Sequence, residues 1–182
     1  MLTQLHASHA LEAFRLGQVL AYPTEAVYGL GCDPFNQQAV ARILSLKGRK
    51  VSKGLIVLIA EWPQLFALVG DFPLRKLESV TETWPGPTTW IFPKSASIPP
   101  WLCGDNNNIA IRMTAHPVAR QLCEIGPVVS TSANPQGQEP ARSLSALEQL
   151  FPEGLDGVVV GELGKESQPS AIYDVLTGKR LR

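Results

Sequence analysis

The sequence has few cysteines, no excess of either charge and no long apolar run. Its 182 residues carry 16 Lys plus Arg and 16 Asp plus Glu, so the formal net charge is zero. This balance excludes a polycation of the histone or ribosomal-protein type, although it leaves a local basic patch open. No segment approaches the roughly 18 consecutive apolar residues that a membrane span needs. The N-terminus also lacks the charged start and apolar run of a signal peptide, so we expect no membrane partner.

The sequence also lacks the usual metal and nucleotide motifs. Its three cysteines, Cys32, Cys103 and Cys123, are far apart, and no Cys-x-x-Cys pair occurs, so we expect reduced, buried thiols in a cytoplasmic protein. His6 and His9 have no third ligand nearby, and we expect no metal site built on them. No P-loop, complete dinucleotide fingerprint or Gly-x-Ser-x-Gly elbow is present. Any activity must therefore depend on cations, hydroxyls and backbone amides.

The alternation of helix-like and strand-like apolar spacing predicts a single α/β domain over residues 1–182. A helix is predicted after Ser8, with Leu11, Phe14 and Leu16 facing inward, and another between Asn36 and Gly48. Further helices are predicted over 63–69 and 74–83, after Pro117, and at a capping box formed by Ser145 and Glu148. Strands are predicted over 19–22, 55–60, 88–92, 109–113, 128–130, 158–160 and 172–176.

The first candidate functional segment follows the strand that ends at Pro23. Residues 22–31 place Thr24, Glu25 and two tyrosines in a glycine-rich turn, where hydroxyls and amides can meet a ligand. The plain alternative is an ordinary strand-turn with Glu25 in solvent.

The second candidate segment is a cluster of four cations in seven residues, Lys47, Arg49, Lys50 and Lys53. No carboxylate occurs between Asp33 and Glu61. Such a cluster faces water or binds a polyanion, and the glycines beside it let the backbone approach a phosphate chain. The alternative is a set of basic residues at a helix C-terminus, which gains only ~0.3–1 kcal/mol from the helix dipole.

The third candidate segment spans residues 128–137, where an apolar strand runs into three hydroxyls and an amide. Alternation along an extended backbone places Ser130, Ser132 and Asn134 on one face. Small polar groups in line can bind a ribose, a phosphate or an amino acid. A capped loop is the alternative.

Taken in order, these segments resemble the YrdC/TsaC family of threonylcarbamoyl-AMP synthases. The resemblance lies in Pro-Thr-Glu-Ala-Val-Tyr-Gly-Leu-Gly (residues 23–31), Lys-x-Arg (47–49) and Ser-Thr-Ser-Ala-Asn (130–134). Trp-Pro-Gly-Pro-Thr-Thr (84–89) and Ile-Arg-Met (111–113) are similar as well. The resemblance extends from about residue 11 to residue 182 and is to the short, single-domain branch of the family.

The resemblance implies a twisted mixed sheet with flanking helices around a large, concave, basic cavity. It implies the formation of L-threonylcarbamoyladenylate and pyrophosphate from L-threonine, bicarbonate and ATP. That product serves the N6-threonylcarbamoyl modification of adenosine 37 in tRNAs that read codons beginning with A. Mg²⁺ is expected with the ATP, with no protein cage and no prosthetic group. A functional link to the tRNA threonylcarbamoyl transferase complex and a weak contact with tRNA are also implied.

The resemblance assigns roles to thirteen positions. Lys47 and Arg49 are expected at the reacting centre. The residues expected to bind ATP are Arg49, Lys53, Asn108, Ser132, Asn134, Pro140 and Arg182. The residues expected to bind threonine are Thr24, Leu58, Arg112, Ser130 and Ser170, with the guanidinium of Arg112 on the threonine carboxylate.

The sequence departs from the family pattern at three of its positions. Lys50 stands where the family often has Pro, Asn108 where Ser or Thr is common, and Leu58 where some members have His. Arg182 is the last residue given, so its predicted contact requires an ordered terminus. Two other functions remain open at this point. One is an RNA-binding module that uses the basic cluster, and the other is a carbamoyl-adenylate step of a different pathway, which carbamoyl phosphate would reveal as a competitor.

Overall fold

The short apolar runs assemble into one mixed sheet of nine strands in the computed structural model, which describes residues 1–182. The strands are β1 (Gln4–Leu5), β2 (Leu20–Pro23), β3 (Tyr28–Gly31), β4 (Ile56–Ile59), β5 (Thr88–Pro93), β6 (Asn108–Met113), β7 (Val128–Ser132), β8 (Gly157–Val159) and β9 (Ala171–Asp174). Their order across the sheet is β1-β8-β2-β3-β7-β4-β6-β5-β9. β4 and β6 are parallel, whereas β7 and β5 pair antiparallel on either side of them. This is the mixed α/β architecture that the sequence predicts.

Seven α-helices flank the sheet. They are α1 (Ala7–Arg15), α2 (Gln37–Lys47), α3 (Trp62–Leu68), α4 (Leu77–Thr81), α5 (Pro100–Cys103), α6 (Pro117–Leu122) and α7 (Leu144–Leu150). None of these helices has the length and apolar character that crossing a bilayer requires.

Apolar side chains form one cluster on each face of the sheet. The larger cluster has 30 buried residues, among them Val57 and Ile59 of β4 and Ile111 of β6, packed with side chains of α2 and α3. The smaller has 13 and joins α1 and α6 to β2, β4, β7 and β8. The smaller cluster includes no residue of β5, β6 or β9. On the sheet face that α1 and α6 cover, these three strands are therefore left open. The cavity described below lies there.

The predicted limits of α2 are confirmed. The Asn36 side-chain oxygen accepts a hydrogen bond from Ala39 N at 3.0 Å, which satisfies a free amide at the helix start. The helix ends at Gly48, whose φ of 60° is left-handed and therefore suits a residue without a Cβ. This end point directs the basic loop that follows toward the sheet.

Four predictions about the helices are wrong. α1 begins at Ala7, so Ser8 lies inside the helix and does not cap it. Leu16 is 72% exposed because α1 ends before it, at Arg15. The helix near residue 145 is capped by Ser143, whose hydroxyl accepts from Ala146 N at 3.1 Å, and not by Ser145. Residues 74–83 form a 3-10 turn followed by the short α4 rather than one helix.

The glycine-rich segment after Tyr28 is a strand rather than a turn. β3 pairs antiparallel with β2 and with β7, so the segment is internal to the sheet. A Cβ at Gly31 would lie 2.6 Å from the carbonyl oxygen of Val129. Glycine is therefore required for the close approach of these strands.

Candidate active site

The open part of the second sheet face is the floor of a cavity of about 490 Å³, a size typical of small-molecule sites. Strand register explains its floor, because paired residues of neighbouring strands share a face. Ser130 pairs with Ile56, Ile56 with Ala110, Ala110 with Ile91, and Ile91 with Asp174. All five residues line the cavity, so one row across five strands builds its base.

Two cations reach the cavity from the loop after α2. Arg49 and Lys53 both line it. Arg49 Nη2 donates to the carbonyl oxygens of Lys53 at 3.2 Å and Gly54 at 2.8 Å, which closes the loop on itself. Neither cation has a carboxylate within 4.0 Å, and Arg49 Nε is buried with no partner. Burial lowers the pKa of Arg49, so an anion at this point would relieve an unfavourable charge.

Lys47 turns away from the cavity, although the cation cluster begins with it. Its Nζ donates to the carbonyl oxygens of Ser132 at 2.5 Å and Asn134 at 2.8 Å and lies 3.3 Å from Asn134 Oδ1. Burial, together with the nearby Arg49, lowers the pKa of Lys47 to about 8. The ammonium therefore ties the end of α2 to the end of β7.

The hydrogen bonds around Asn134 fix the direction in which Ser132 can bond. Asn134 Nδ2 donates to the carbonyl oxygens of Pro135 at 3.1 Å and Gln138 at 2.7 Å, so Oδ1 is the atom that faces Lys47 and Ser132. An ammonium can only donate. Ser132 Oγ donates its proton to the same Oδ1 at 2.6 Å. Ser132 therefore presents only acceptor lone pairs to the cavity.

Thr24 is held in the same way. Its Oγ1 donates to the carbonyl oxygen of Val27 at 2.7 Å, within the turn that joins β2 to β3. Thr24 lines the cavity, so its hydroxyl can accept a hydrogen bond from a ligand but has no proton to give.

Arg112 lines the cavity from β6 and is paired from behind. Its Nη2 lies 3.3 Å from Glu25 Oε2, and both side chains are only 9% exposed. Glu25 Oε1 accepts from Thr114 Oγ1 at 2.7 Å and from Ala115 N at 3.2 Å. Burial opposes the charge on Glu25, but Arg112 and these two donors outweigh it, and the pKa of Glu25 lies below its usual value. The alternative that left Glu25 in solvent is wrong.

The end of the chain completes the wall. Asp174 Oδ1 accepts from the backbone and the hydroxyl of Thr177, which turns the chain back after β9. Leu181 N then donates to Ile172 O at 2.7 Å. Arg182 Nη2 donates to the Ser170 carbonyl at 2.8 Å and to its hydroxyl at 3.2 Å. Burial lowers the pKa of Arg182, and the nearby Arg112 and Arg49 act in the same direction, so three guanidinium groups face one space.

The structure brings ten of the thirteen predicted positions to this cavity. They are Thr24, Arg49, Lys53, Asn108, Arg112, Ser130, Ser132, Pro140, Ser170 and Arg182. Three others do not line it. Lys47 and Asn134 bond to each other at the β7 end. Leu58, fully buried, packs in the cluster under α1 and α6 beside Arg112, its partner in β6.

Sequence reasoning did not assign a site role to Glu25 or Asp174. Asp174 is the sole carboxylate among the residues that line the cavity. The sequence feature that could have pointed to Glu25 is a charged residue between the end of one strand and a glycine-rich strand. The same feature also fits a turn exposed to solvent. None of the three thiols is an activated nucleophile, because burial raises the pKa of Cys32 and of Cys103 and raises that of Cys123 to about 12.

This arrangement has a definite chemical capacity. Four cationic side chains, Arg49, Lys53, Arg112 and Arg182, converge with only one carboxylate among the lining residues. The site can therefore gather several anionic groups in fixed positions. Fixed hydroxyl acceptors beside them can select donors on the same ligands.

Comparison with known proteins points in one direction. The Sua5_yciO_yrdC family model, described as "Telomere recombination", matches residues 12–182. A protein of Pseudomonas paraeruginosa named threonylcarbamoyl-AMP synthase is 48% identical over 100% of the chain and 99% of its own length. A solved structure of a P. abyssi Sua5 variant (H234A/Y235A) superposes with a TM-score of 0.92 at 30% identity over 100% of the chain.

P. abyssi Sua5 complexed with L-threonine has a TM-score of 0.87 at 31% identity over 94% of the chain. The chain spans 59% and 53% of the two Sua5 chains, so it corresponds to a little over half of that longer protein.

Proposed function

The chain belongs to the Sua5/YciO/YrdC family, and on that premise we propose that its cavity makes L-threonylcarbamoyl-AMP and pyrophosphate from L-threonine, bicarbonate and ATP. The observation that carries the proposal is the convergence of Arg49, Lys53, Arg112 and Arg182 on one cavity. ATP and bicarbonate are anions at neutral pH, and threonine carries a carboxylate. Four cations with a single carboxylate among the lining side chains suit these negatively charged groups.

The reaction divides into two steps that need positioning more than a protein nucleophile. The threonine amine adds to CO₂ derived from bicarbonate, which forms the N–C bond of a carbamate and releases a proton. A carbamate oxygen then attacks the α-phosphorus of ATP, and the bond to the leaving pyrophosphate breaks. Fixed cations lower the barrier of such a step by holding the anions in line and balancing the charge that moves to pyrophosphate.

The amino-acid end of the reaction is assigned to the wall formed by Thr24, Arg112 and Ser130. The planar guanidinium of Arg112 suits a carboxylate. Thr24 presents an acceptor because its proton goes to Val27 O, so it suits the amino or hydroxyl group of threonine. P. abyssi Sua5 has been solved with L-threonine bound, which supports threonine as the substrate here.

The phosphates are assigned to Arg49, Lys53 and Arg182, which line the cavity and have no carboxylate partner within 4.0 Å. Ser132 is assigned to the nucleoside rather than to the phosphates. Its proton is already donated to Asn134, and an ionised phosphate offers no donor in return. A ribose hydroxyl or the adenine amino group does.

Lys47 and Asn134 are assigned a supporting role. Lys47 does not line the cavity, and its ammonium is occupied by three oxygens. It holds Ser132 in place and contributes no contact with the reacting phosphate. Leu58 is buried in β4 directly beside Arg112 of β6, and it is assigned a packing role there.

Mg²⁺ enters with ATP in this proposal. The described residues contain no cluster of three metal-binding side chains, and Asp174 is engaged with Thr177. The phosphates and water would supply its ligands, and the metal would help to neutralise the leaving pyrophosphate.

The adenylate is then consumed by the threonylcarbamoyl transfer that modifies adenosine 37 of tRNA. A mixed carbamic–phosphoric anhydride is readily hydrolysed, so a transferase complex close to this protein is the expected partner. Lys50 and Lys53 are exposed in the loop after α2 and suit a weak, salt-sensitive contact with tRNA.

A pyrophosphate-release assay with one substrate omitted at a time tests the reaction. Release is expected only when L-threonine, bicarbonate and ATP are all present. Release from ATP alone at the full rate, or competition by carbamoyl phosphate, would overturn the proposal.

A further inference from the structure

Arg112, the proposed ligand of the substrate carboxylate, is paired with Glu25, a buried acid that does not line the cavity. Only two ion pairs occur in the protein, and the other, Arg42 with Asp156, lies at the surface. Glu25 and Arg112 are the buried pair, at 3.3 Å. Arg112 lines the cavity and Glu25 does not. A buried pair costs desolvation energy and is weak evidence for stability, so its placement directly behind a proposed ligand contact calls for another explanation.

Glu25 is fixed from several directions. Thr114 Oγ1, which donates to Glu25 Oε1, also accepts from His116 N at 3.1 Å and so joins the carboxylate to the start of α6. The backbone carbonyl of Glu25 accepts from Glu166 N at 2.9 Å. A Cβ at Gly164 would lie 2.5 Å from that same carbonyl oxygen. The backbone of residues 164–166 therefore packs directly on the backbone of Glu25 and fixes the position from which its side chain extends.

Several N–H donors of the Arg112 guanidinium have no partner in the protein. One nitrogen, Nη2, faces Glu25, and Nε is buried with no partner. Glu25 Oε2 also has no hydrogen-bond partner, so charge attraction holds the pair together. The guanidinium has five N–H donors in a fixed plane, so attraction at Nη2 favours one direction for the others. The remaining donors are available to a planar anion that enters the cavity.

We propose that Glu25 is a positioning residue that orients the Arg112 guanidinium for the carboxylate of the amino-acid substrate. This inference deepens the proposed function and rests on it. Glu25 does not touch substrate; it acts through Arg112. The negative charge of Glu25 also balances the positive charge of Arg112. The substrate carboxylate is therefore bound through the orientation of the guanidinium donors as much as through net charge.

The test compares Glu25→Gln with Glu166→Gln in the full chain. Glutamine keeps an oxygen for Thr114 and Ala115 but turns an amide toward Arg112, which removes the attraction that orients it. The KM for L-threonine is expected to rise at least tenfold, with kcat within threefold of wild type and the KM for ATP unchanged. Glu166 is exposed and lies in the strip that packs on Glu25, so its variant removes the same charge from the same region and is expected to behave as wild type.

Two further measurements separate positioning from a structural role. L-Threoninamide lacks the carboxylate, so the preference of wild type for threonine over threoninamide should collapse in Glu25→Gln. In an Arg112→Gln background, Glu25→Gln should not raise the threonine KM again. A purely structural role would lower the melting temperature and leave the threonine preference intact.

If Glu25→Gln does not fold, Thr114→Val, which removes one hydrogen bond to the carboxylate and keeps its charge, should raise the threonine KM about threefold. An active wild type with an unchanged threonine KM in whichever variant folds would overturn the inference while leaving the proposed function standing. A wild type that makes no adenylate would instead overturn the proposed function.

Discussion

Replacing Lys47 by methionine tests whether this lysine supports the site or acts in the reaction. Methionine keeps the length and packing of the side chain but gives no donor to Ser132 O, Asn134 O or Asn134 Oδ1. A hydrogen bond from a charged donor contributes about 1.5–3 kcal/mol. Loss of the ammonium also removes its burial cost, which is evident in its pKa of about 8, so the net destabilisation should be about 2 kcal/mol. For a chain of this size that lowers Tm by about 4–8 °C.

The kinetic consequence follows from the position of Ser132. Without its anchor the β7 end can shift, so the KM for ATP should rise about tenfold while kcat falls less than fivefold. Steady-state pyrophosphate release and differential scanning calorimetry measure both quantities. Lys50→Met is the matched control, since it removes a charge from the same cluster at an exposed position. A kcat more than 100-fold lower at an unchanged ATP KM would refute this reasoning and place Lys47 at the reacting phosphate.

Three further predictions follow from other contacts. Arg49→Ala should lower kcat/KM at least 100-fold in the pyrophosphate assay while the protein stays folded by circular dichroism; near wild-type activity, as expected for Lys50→Ala, would remove Arg49 from the site. The three analogues 2′-deoxy-ATP, 3′-deoxy-ATP and purine riboside triphosphate each lack one donor that Ser132 could bind. Wild type should show a kcat/KM at least tenfold lower for one of them than for ATP, and Ser132→Ala should lose that preference. Equal use of all four nucleotides by wild type would contradict the acceptor role of Ser132. Folding lowers the pKa of Glu25 from its ordinary 4.5, so as the pH falls the unfolded chain takes up this proton before the folded protein does. The stability that Glu25 contributes is therefore complete above about pH 5 and is lost as the pH falls through the pKa of Glu25 in the folded protein. Urea unfolding should accordingly show the gap between wild type and Glu25→Gln shrinking below pH 4.5, and a gap independent of pH would count against the ion pair.

Much of the fold is predictable because its signals are local. Asn36 and Gly48 mark the ends of α2 through hydrogen bonding and backbone geometry that depend on a few neighbouring residues. The apolar run at 55–60 predicts a buried strand for the same reason, and β4 lies within it. β3 was not predictable in this way, because Gly29 and Gly31 favour turns locally and are needed here only for the approach of other strands.

The site was less predictable because side-chain direction depends on distant partners. The resemblance to a family assigns Lys47 and Arg49 together, yet only packing against β7 turns Lys47 inward and leaves Arg49 in the cavity. Glu25 is indistinguishable from a solvated turn residue until β6 brings Arg112 beside it. The resemblance assigns Arg182 to the site but does not indicate how it gets there, which is through the turn after Asp174 that reverses the chain.

The central claim is that one cavity joins threonine, bicarbonate and ATP into a single adenylate. Mass spectrometry of the wild-type reaction with ¹³C-bicarbonate tests it most directly. We expect an AMP conjugate of threonine one mass unit heavier than the product from unlabelled bicarbonate, formed in proportion to the pyrophosphate released. An AMP conjugate without the label, or pyrophosphate with no such conjugate even in a rapidly quenched reaction, would contradict it.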